Sequence, residues 1–117
     1  MRSTCPIAQS LDILGDRWTL LVIRDLMFVG KTQYGEFLNS PEKISTNILA
    51  ERLKRLEQAG IIEKQAYQNN PPRYEYHLTQ KGRDLRPLLS EVCKWGLEYV
   101  EDTQIPPSLK QETVQKN

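Results

Sequence analysis

Cysteine, histidine and glycine are scarce in this chain of 117 residues, which has two, one and six of them. Cys5 and Cys93 lie far apart without histidine-rich surroundings, so neither a disulfide framework nor a zinc site is indicated, and a reducing compartment fits best. Long apolar runs are missing too. The nearest approach is interrupted by Arg24 and Asp25, short of the roughly 18 uncharged residues that a spanning helix requires. The first fifteen residues include Pro6 and Asp12 and hold no continuous apolar stretch, so no secretory signal or lipid anchor is read there. The expectation is a cytoplasmic protein with no membrane partner.

Motifs of catalysis are equally lacking: there is no G-x-G-x-x-G, P-loop, H-E-x-x-H or serine elbow. The single histidine, His77, falls on the polar side of a strand with no obvious partner. Asp12, Asp16 and Asp25 share helices with Arg17 and Arg24, so caps and ion pairs account for them. An enzyme is not expected, nor a metal or another cofactor.

What is present fits one small folded domain, with 38% hydrophobic and 26% charged residues. The net charge of +1 is unevenly spread: residues 1–42 carry −1, residues 43–86 carry +4 and residues 87–117 carry −2. Positive charge concentrated in the middle of the chain is a weak footprint for a polyanion.

Periodicity predicts the elements. Pro6 opens a helix with Ile7, Leu11 and Leu14 on one face, and Gly15 ends it. Asp16 caps a second helix striped by Trp18, Leu21, Val22, Leu26 and Phe28, with Gly30 as its stop. A short helical piece around Tyr34–Leu38 ends before Pro41. Ser45 caps a fourth helix that buries Leu49, Leu53 and Leu56 and turns Asn47, Ala50, Glu51, Lys54 and Gln58 outward. The period then becomes two: Ile61–Tyr67 and the alternation of Tyr74, Tyr76 and Leu78 with Arg73, Glu75 and His77 form a hairpin. Its connection, Gln68–Pro72, is expected to project as a polar loop rather than close as a tight turn. Thr79 caps one final helix striped by Leu85, Leu88, Leu89, Val92, Trp95, Tyr99 and Val100. The domain is expected over residues 1–102, with a loose polar tail over 103–117.

The fold class is therefore mainly α with a small β-hairpin, in the order of a winged helix-turn-helix whose fourth helix enters the DNA major groove. Candidate DNA contacts are Ser45, Thr46, Asn47 and Ala50 at the start of that helix, Lys54 and Arg55 along it, and Arg73 in the wing. The same residues also suit an ordinary cap and a solvated helix face, so both readings stand at this level. A winged helix serving only as a protein-interaction module is the alternative to DNA binding. The apolar stripe of the last helix, with Trp95 and Tyr99, exceeds what so small a domain covers by itself. It suggests a two-fold dimer through Ile7, Leu11, Leu88, Val92, Trp95 and Tyr99, which would prefer an inverted-repeat operator.

Particular segments add a resemblance. Cys5-Pro6-Ile7-Ala8, Leu14-Gly15-Asp16-Arg17-Trp18-Thr19-Leu20-Leu21, Ile23-Arg24-Asp25-Leu26, Tyr34-Gly35-Glu36-Phe37, Ile44–Leu53 and Pro71–Gly82 resemble the HxlR-type bacterial transcriptional regulators, a group related to the MarR regulators. The similarity runs from Cys5 to about Tyr99. It implies a homodimeric winged-helix protein that binds double-stranded DNA and regulates nearby genes, open to control by a small-molecule or redox effector. Some regulators of this type sense oxidants or electrophiles through a cysteine at the position of Cys5. A thiol at a helix N-terminus meets the positive end of the helix dipole, which favours thiolate, although an inert packed thiol is the plainer alternative. Cys93, in an apolar-striped helix, reads as structural.

Overall fold

The computed structural model describes residues 3–105, and the expected tail beyond Ile105 lies outside them. Helix α1, Pro6–Leu14, follows Cys5 as N-cap with Pro6 at its first position, where a missing N–H costs nothing. None of its residues is buried. Helix α2, Arg17–Arg24, is capped by Asp16, whose carboxylate accepts from the backbone N–H groups of Trp18 and Thr19. It continues as a five-residue π-helical turn, Asp25–Val29, to Gly30, whose φ of 83° is left-handed and suits glycine.

The expected α2 stripe needs correction. The buried face is Thr19, Val22, Ile23 and Asp25, with Trp18 and Leu26 at its edge. Thr19 can face inward because its hydroxyl donates to Asp16 Oδ2 at 2.5 Å.

Helix α3, Tyr34–Phe37, starts in a reciprocal cap in which Glu36 Oε1 accepts from Thr32 N and Gln33 N, both at 2.9 Å. Helix α4, Thr46–Gln58, is capped by Ser45 as the sequence suggests, and Leu49, Leu53 and Leu56 are its buried residues. Its far end is finished from the C-terminal half of the chain: Lys81 Nζ donates to Ala59 O and the Thr79 hydroxyl to Gly60 O, both at 2.6 Å. Leu49, Leu53 and Leu56 form the core together with Val22, Ile23, Phe37, Ile44, Ile61 and Ile62.

Strands β1, Ile62–Asn69, and β2, Pro72–Leu78, pair antiparallel from Ile62–Leu78 to Asn69–Pro72, with an irregularity between Ala66 and Gln68. The pairing leaves a two-residue turn, Asn70-Pro71, with a cis bond, rather than the projecting Gln68–Pro72 loop expected. Proline at the third position of a tight turn is accommodated in that geometry, so the two prolines close the hairpin. Tyr76 N donates to Thr32 O at 2.8 Å and Gln33 bridges to Glu75, which lays the segment before α3 along β2. His77, expected to have no partner, is half-buried with its Nε2 3.4 Å from Glu75 Oε1, because i and i+2 share one face of a strand.

The single last helix of the sequence reading is two: α5, Gln80–Arg83, and α6, Arg86–Tyr99. Pro87 explains the break, since it has no N–H to continue a helix from α5 and is accommodated in the first turn of a new one. Val100, expected in the stripe, lies past the end of α6 in extended backbone.

One close approach ties these parts together. A Cβ on Gly82 would collide with the carbonyl oxygen of Ile61 and lie 2.8 Å from Leu78 Cδ2, so α5 sits against the start of the hairpin only because residue 82 is glycine. Gly82→Ala should therefore lower stability by about 1–3 kcal/mol, read as a lower urea midpoint with unchanged slope. An unchanged midpoint would contradict this packing.

Candidate nucleic-acid interface

The exposed side of α4 carries Thr46, Asn47, Ala50, Glu51, Lys54 and Gln58, opposite the leucines that hold the helix on the core. This is a consequence of the 3.6-residue period. Ser45 Oγ accepts from Ile48 N at 3.2 Å, so the cap uses the serine side chain, while Thr46 and Asn47 extend from the first turn. The Tyr34 hydroxyl donates to Thr46 O at 2.7 Å and so fixes α3 against the beginning of α4. Sequence reading missed Tyr34, because the contact depends on how two helices meet.

Tyr34 belongs to a larger feature. Four of the chain's five tyrosines, Tyr34, Tyr67, Tyr74 and Tyr76, line a groove of about 410 Å³ between the start of α3 and the wing, together with Arg73. Lys64 Nζ stands 4.7 Å over the Tyr74 ring. Clustering of tyrosine around the wing was the available sequence signal.

Charge on α4 is distributed less simply than its sequence suggests. Asp16, the cap of α2, also accepts from Arg52 Nε at 2.9 Å and Arg55 Nη1 at 3.3 Å. Burial opposes the charge of Asp16, yet the bonds from Thr19 and Arg52 outweigh it and hold the carboxyl at about 2, below its ordinary 3.8. Glu51 pairs with both arginines, at 3.0 Å from Arg55 Nη2, and the bond from Arg52 holds its carboxyl below the ordinary value. Arg55, a candidate DNA contact, is thus bound to two carboxylates. Lys54 is exposed and outside this network. Of the two arginines of α2, Arg24 pairs with Asp25 as expected, whereas Arg17 lies 5.0 Å over the Trp18 ring and the arginine partners of Asp16 come from α4.

A second polar cluster anchors the turn that leads into α4. Arg24 grips Glu42 through two bonds of 2.8 Å and donates to Asp25 Oδ1 at 2.9 and 3.0 Å. Asp25 is buried, and its other oxygen takes Lys31 at 3.4 Å and the Ser40 hydroxyl. Hydrogen bonds from Arg24 hold the Glu42 carboxyl below its ordinary value, against the effect of burial.

On another side of the molecule, Ile7, Leu11, Leu88, Val92, Trp95 and Tyr99 are all exposed, Ile7 by 71%, Trp95 by 62% and Tyr99 by 69%. The Trp95 and Tyr99 rings lie 5.5 Å apart. Cys5 is exposed at the start of α1 and Cys93 is half-buried in α6; both are free thiols. Among the described residues no group of three His, Cys, Asp or Glu side chains could hold a metal, and no helix is long and apolar enough to cross a membrane.

The pH dependence of folding follows from Asp16. A carboxyl with its folded value near 2 against 3.8 stabilises fully above 3.8 and loses that contribution as pH falls toward 2. Allowing for partial exposure, Asp16→Asn, which keeps a cap but not the charge, should cost about 1 kcal/mol at neutral pH and flatten stability between these two values. Urea unfolding at neutral and acidic pH measures both. Equal acid slopes in the two proteins would contradict the ion-pair assignment.

Known proteins agree with this architecture. The HxlR-like helix-turn-helix family matches residues 13–104. The uncharacterised HTH-type transcriptional regulator sll1512 of Synechocystis is 39% identical over 105 residues, covering 90% of this chain and 77% of that one. The redox regulator HypR in its oxidised form superposes with a TM-score of 0.72 at 31% identity, over 86% of this chain and all of HypR. The reduced form of the transcriptional regulator YodB from Bacillus subtilis does so with a TM-score of 0.67 at 33% identity, over 87% of this chain and all of YodB.

Proposed function

The chain belongs to the HxlR-like helix-turn-helix family of transcriptional regulators, and from that premise we propose that it is a cytoplasmic, sequence-specific binder of double-stranded DNA acting as a homodimer. The observation that carries the proposal is the exposed face of α4, where Thr46, Asn47, Ala50 and Lys54 stand clear of the core on a capped helix beside the wing. In this reading Thr46, Asn47 and Ala50 meet base edges and Ser45 lies at the phosphates. Lys54 supplies charge, Arg55 chiefly fixes the angle of α4, and Arg73 contacts the flanking backbone. The DNA-binding unit spans residues 1–102.

An asparagine in bidentate contact with adenine is worth about 1–3 kcal/mol of discrimination. After selection of the preferred duplex from genomic DNA, Asn47→Ala should cost that amount at the preferred site and relax specificity. Arg73→Ala should weaken all duplexes alike and flatten the salt dependence. Full specific affinity in an Asn47→Ala/Lys54→Ala double variant would reject the assignment, and binding without a steep loss in salt would favour a protein-interaction module.

The homodimer is supported by the exposed apolar surface of α1 and α6, which a second copy would cover with the same surface of its own. Two recognition helices would then stand about 34–36 Å apart and prefer an inverted repeat. HypR is a redox regulator, and Cys5 is exposed beside this surface, which supports oxidant or electrophile control through Cys5. Sedimentation should show a dimer at micromolar concentration that Trp95→Ala/Tyr99→Ala dissociates. Diamide should alter operator binding of the wild type and of Cys93→Ser but not of Cys5→Ser. A wild-type monomer would overturn the dimer, and a response retained in Cys5→Ser would overturn the switch.

A further inference from the structure

Among the described residues, Gly30, Gly60, Asp102 and Lys43 have left-handed backbone. Glycine adopts this conformation readily and aspartate tolerates it, whereas in other residues it drives the β-carbon against the following carbonyl oxygen. Lys43, with a φ of 60°, is the strained one. Its neighbours explain why the chain must turn there. Glu42 is held by Arg24, Ile44 is buried in the core, and Lys43 N donates to Ser40 O at 3.0 Å to close the turn. Glycine would make the same turn without strain.

No contact among the described residues offsets that strain. The Lys43 side chain is exposed and has no hydrogen bond, ion pair or ring partner. Other cations are engaged: Arg24, Lys31, Arg52 and Arg55 pair with carboxylates, and Lys81 and Arg83 donate to backbone carbonyls. Lys54 and Arg73 share with Lys43 the lack of any such partner. These three stand on the turn into α4, on the outer face of α4 and in the wing. A residue kept in a conformation that favours glycine, with its charge left open, points to an anion outside the chain.

We infer that Lys43 is a DNA-backbone contact, its ammonium meeting one phosphate of the strand that passes the start of α4. Lysine suits this role because it is a compact charge with three donors and no planar fork to match a base edge. Only Ile44 separates it from the Ser45 cap, and the turn is anchored on both sides, through Glu42 to α2 and through Ile44 to the core. A phosphate held there sets how Thr46 and Asn47 lie along the groove, as backbone contacts fix register while base contacts specify. The inference rests on the DNA-binding reading of α4 and adds to it the residue that positions the helix on the duplex.

The strain is tested without DNA. Lys43→Gly should raise the urea midpoint and Lys43→Ala should not; a midpoint in Lys43→Gly at or below that of the wild type would overturn the strained turn. The contact is tested on the preferred duplex and on unrelated ones, with salt varied. Lys43→Gly should bind all of them about three- to tenfold more weakly, and the slope of log affinity against log salt should flatten by about 0.9, the share of one phosphate. Lys43→Gln, which keeps the β-carbon and loses only the charge, should show the same loss, and Lys43→Arg should restore affinity and slope. Replacing single phosphates by neutral methylphosphonates should reveal one position that weakens binding of the wild type but not of Lys43→Gln. Wild-type affinity and slope in Lys43→Gln, a loss confined to the preferred duplex, or the absence of such a position would each overturn the phosphate contact. Failure of the DNA reading shows separately: the wild type itself then binds no duplex, and the contact falls with it.

Discussion

The placement of the helix that faces outward depends on one carboxylate. Asp16 closes the N-terminus of α2 and at the same time receives Arg52 and Arg55 from α4. Apolar packing through Leu49, Leu53 and Leu56 sets how deep α4 lies, but a row of leucines permits small rotations about the helix axis. Hydrogen bonds from two arginines to one fixed acceptor remove that freedom. Since Arg52, Arg55 and the carboxylates of Asp16 and Glu51 are only partly covered, their pairing adds modestly to stability; its effect is to select one orientation.

A second constraint operates at the opposite end of α2. Asp25 is buried, and an isolated carboxylate there would be costly, so Arg24, Lys31 and Ser40 surround it while Arg24 also holds Glu42. The chain between α3 and α4 is consequently tied to α2, and the start of α4 is fixed by its preceding turn as well as by Tyr34. Thus α4 is located by polar contacts at its beginning and along its length, and by Lys81 and Thr79 at its end. A helix that must meet a rigid partner in register gains from such placement, because misplacement by an ångström removes directional hydrogen bonds while leaving apolar contact nearly intact.

Much of this was legible in the sequence, and what was not has a common cause. Local rules located α1, α4, the Asp16 and Ser45 caps and the hairpin, because periodicity and capping act within a few residues. The inner face of α4 and its outer row also followed from spacing alone. By contrast, the Asp16 pairs join residues 36 and 39 positions apart, and the Arg24–Glu42 pair spans 18, so no local pattern announces them. The π-helical turn begins at Asp25, whose partners Lys31 and Ser40 lie beyond that turn. The tight hairpin turn depended on the geometry of Asn70-Pro71, and the break before α6 on giving Pro87 more weight than the apolar stripe that continues through it. At the candidate interface, spacing identified the outward residues, whereas the commitment of Arg55 to Asp16 required the fold.

The two proposed working surfaces are joined by a short covalent path. Helix α1 buries none of its own residues, and after Leu14 a single glycine separates it from Asp16. In the proposed dimer, α1 would be held by the partner copy more than by its own domain. Any change of dimer geometry, including one begun at Cys5, would then reach Gly15 and Asp16 before it reached the core. Because Asp16 is also the acceptor for Arg52 and Arg55, a displacement there acts on the orientation of α4 without any need to repack Leu49, Leu53 and Leu56. A rigid apolar core and a movable polar tether are thus combined, and control of DNA binding in this reading costs little packing energy because it works through the tether.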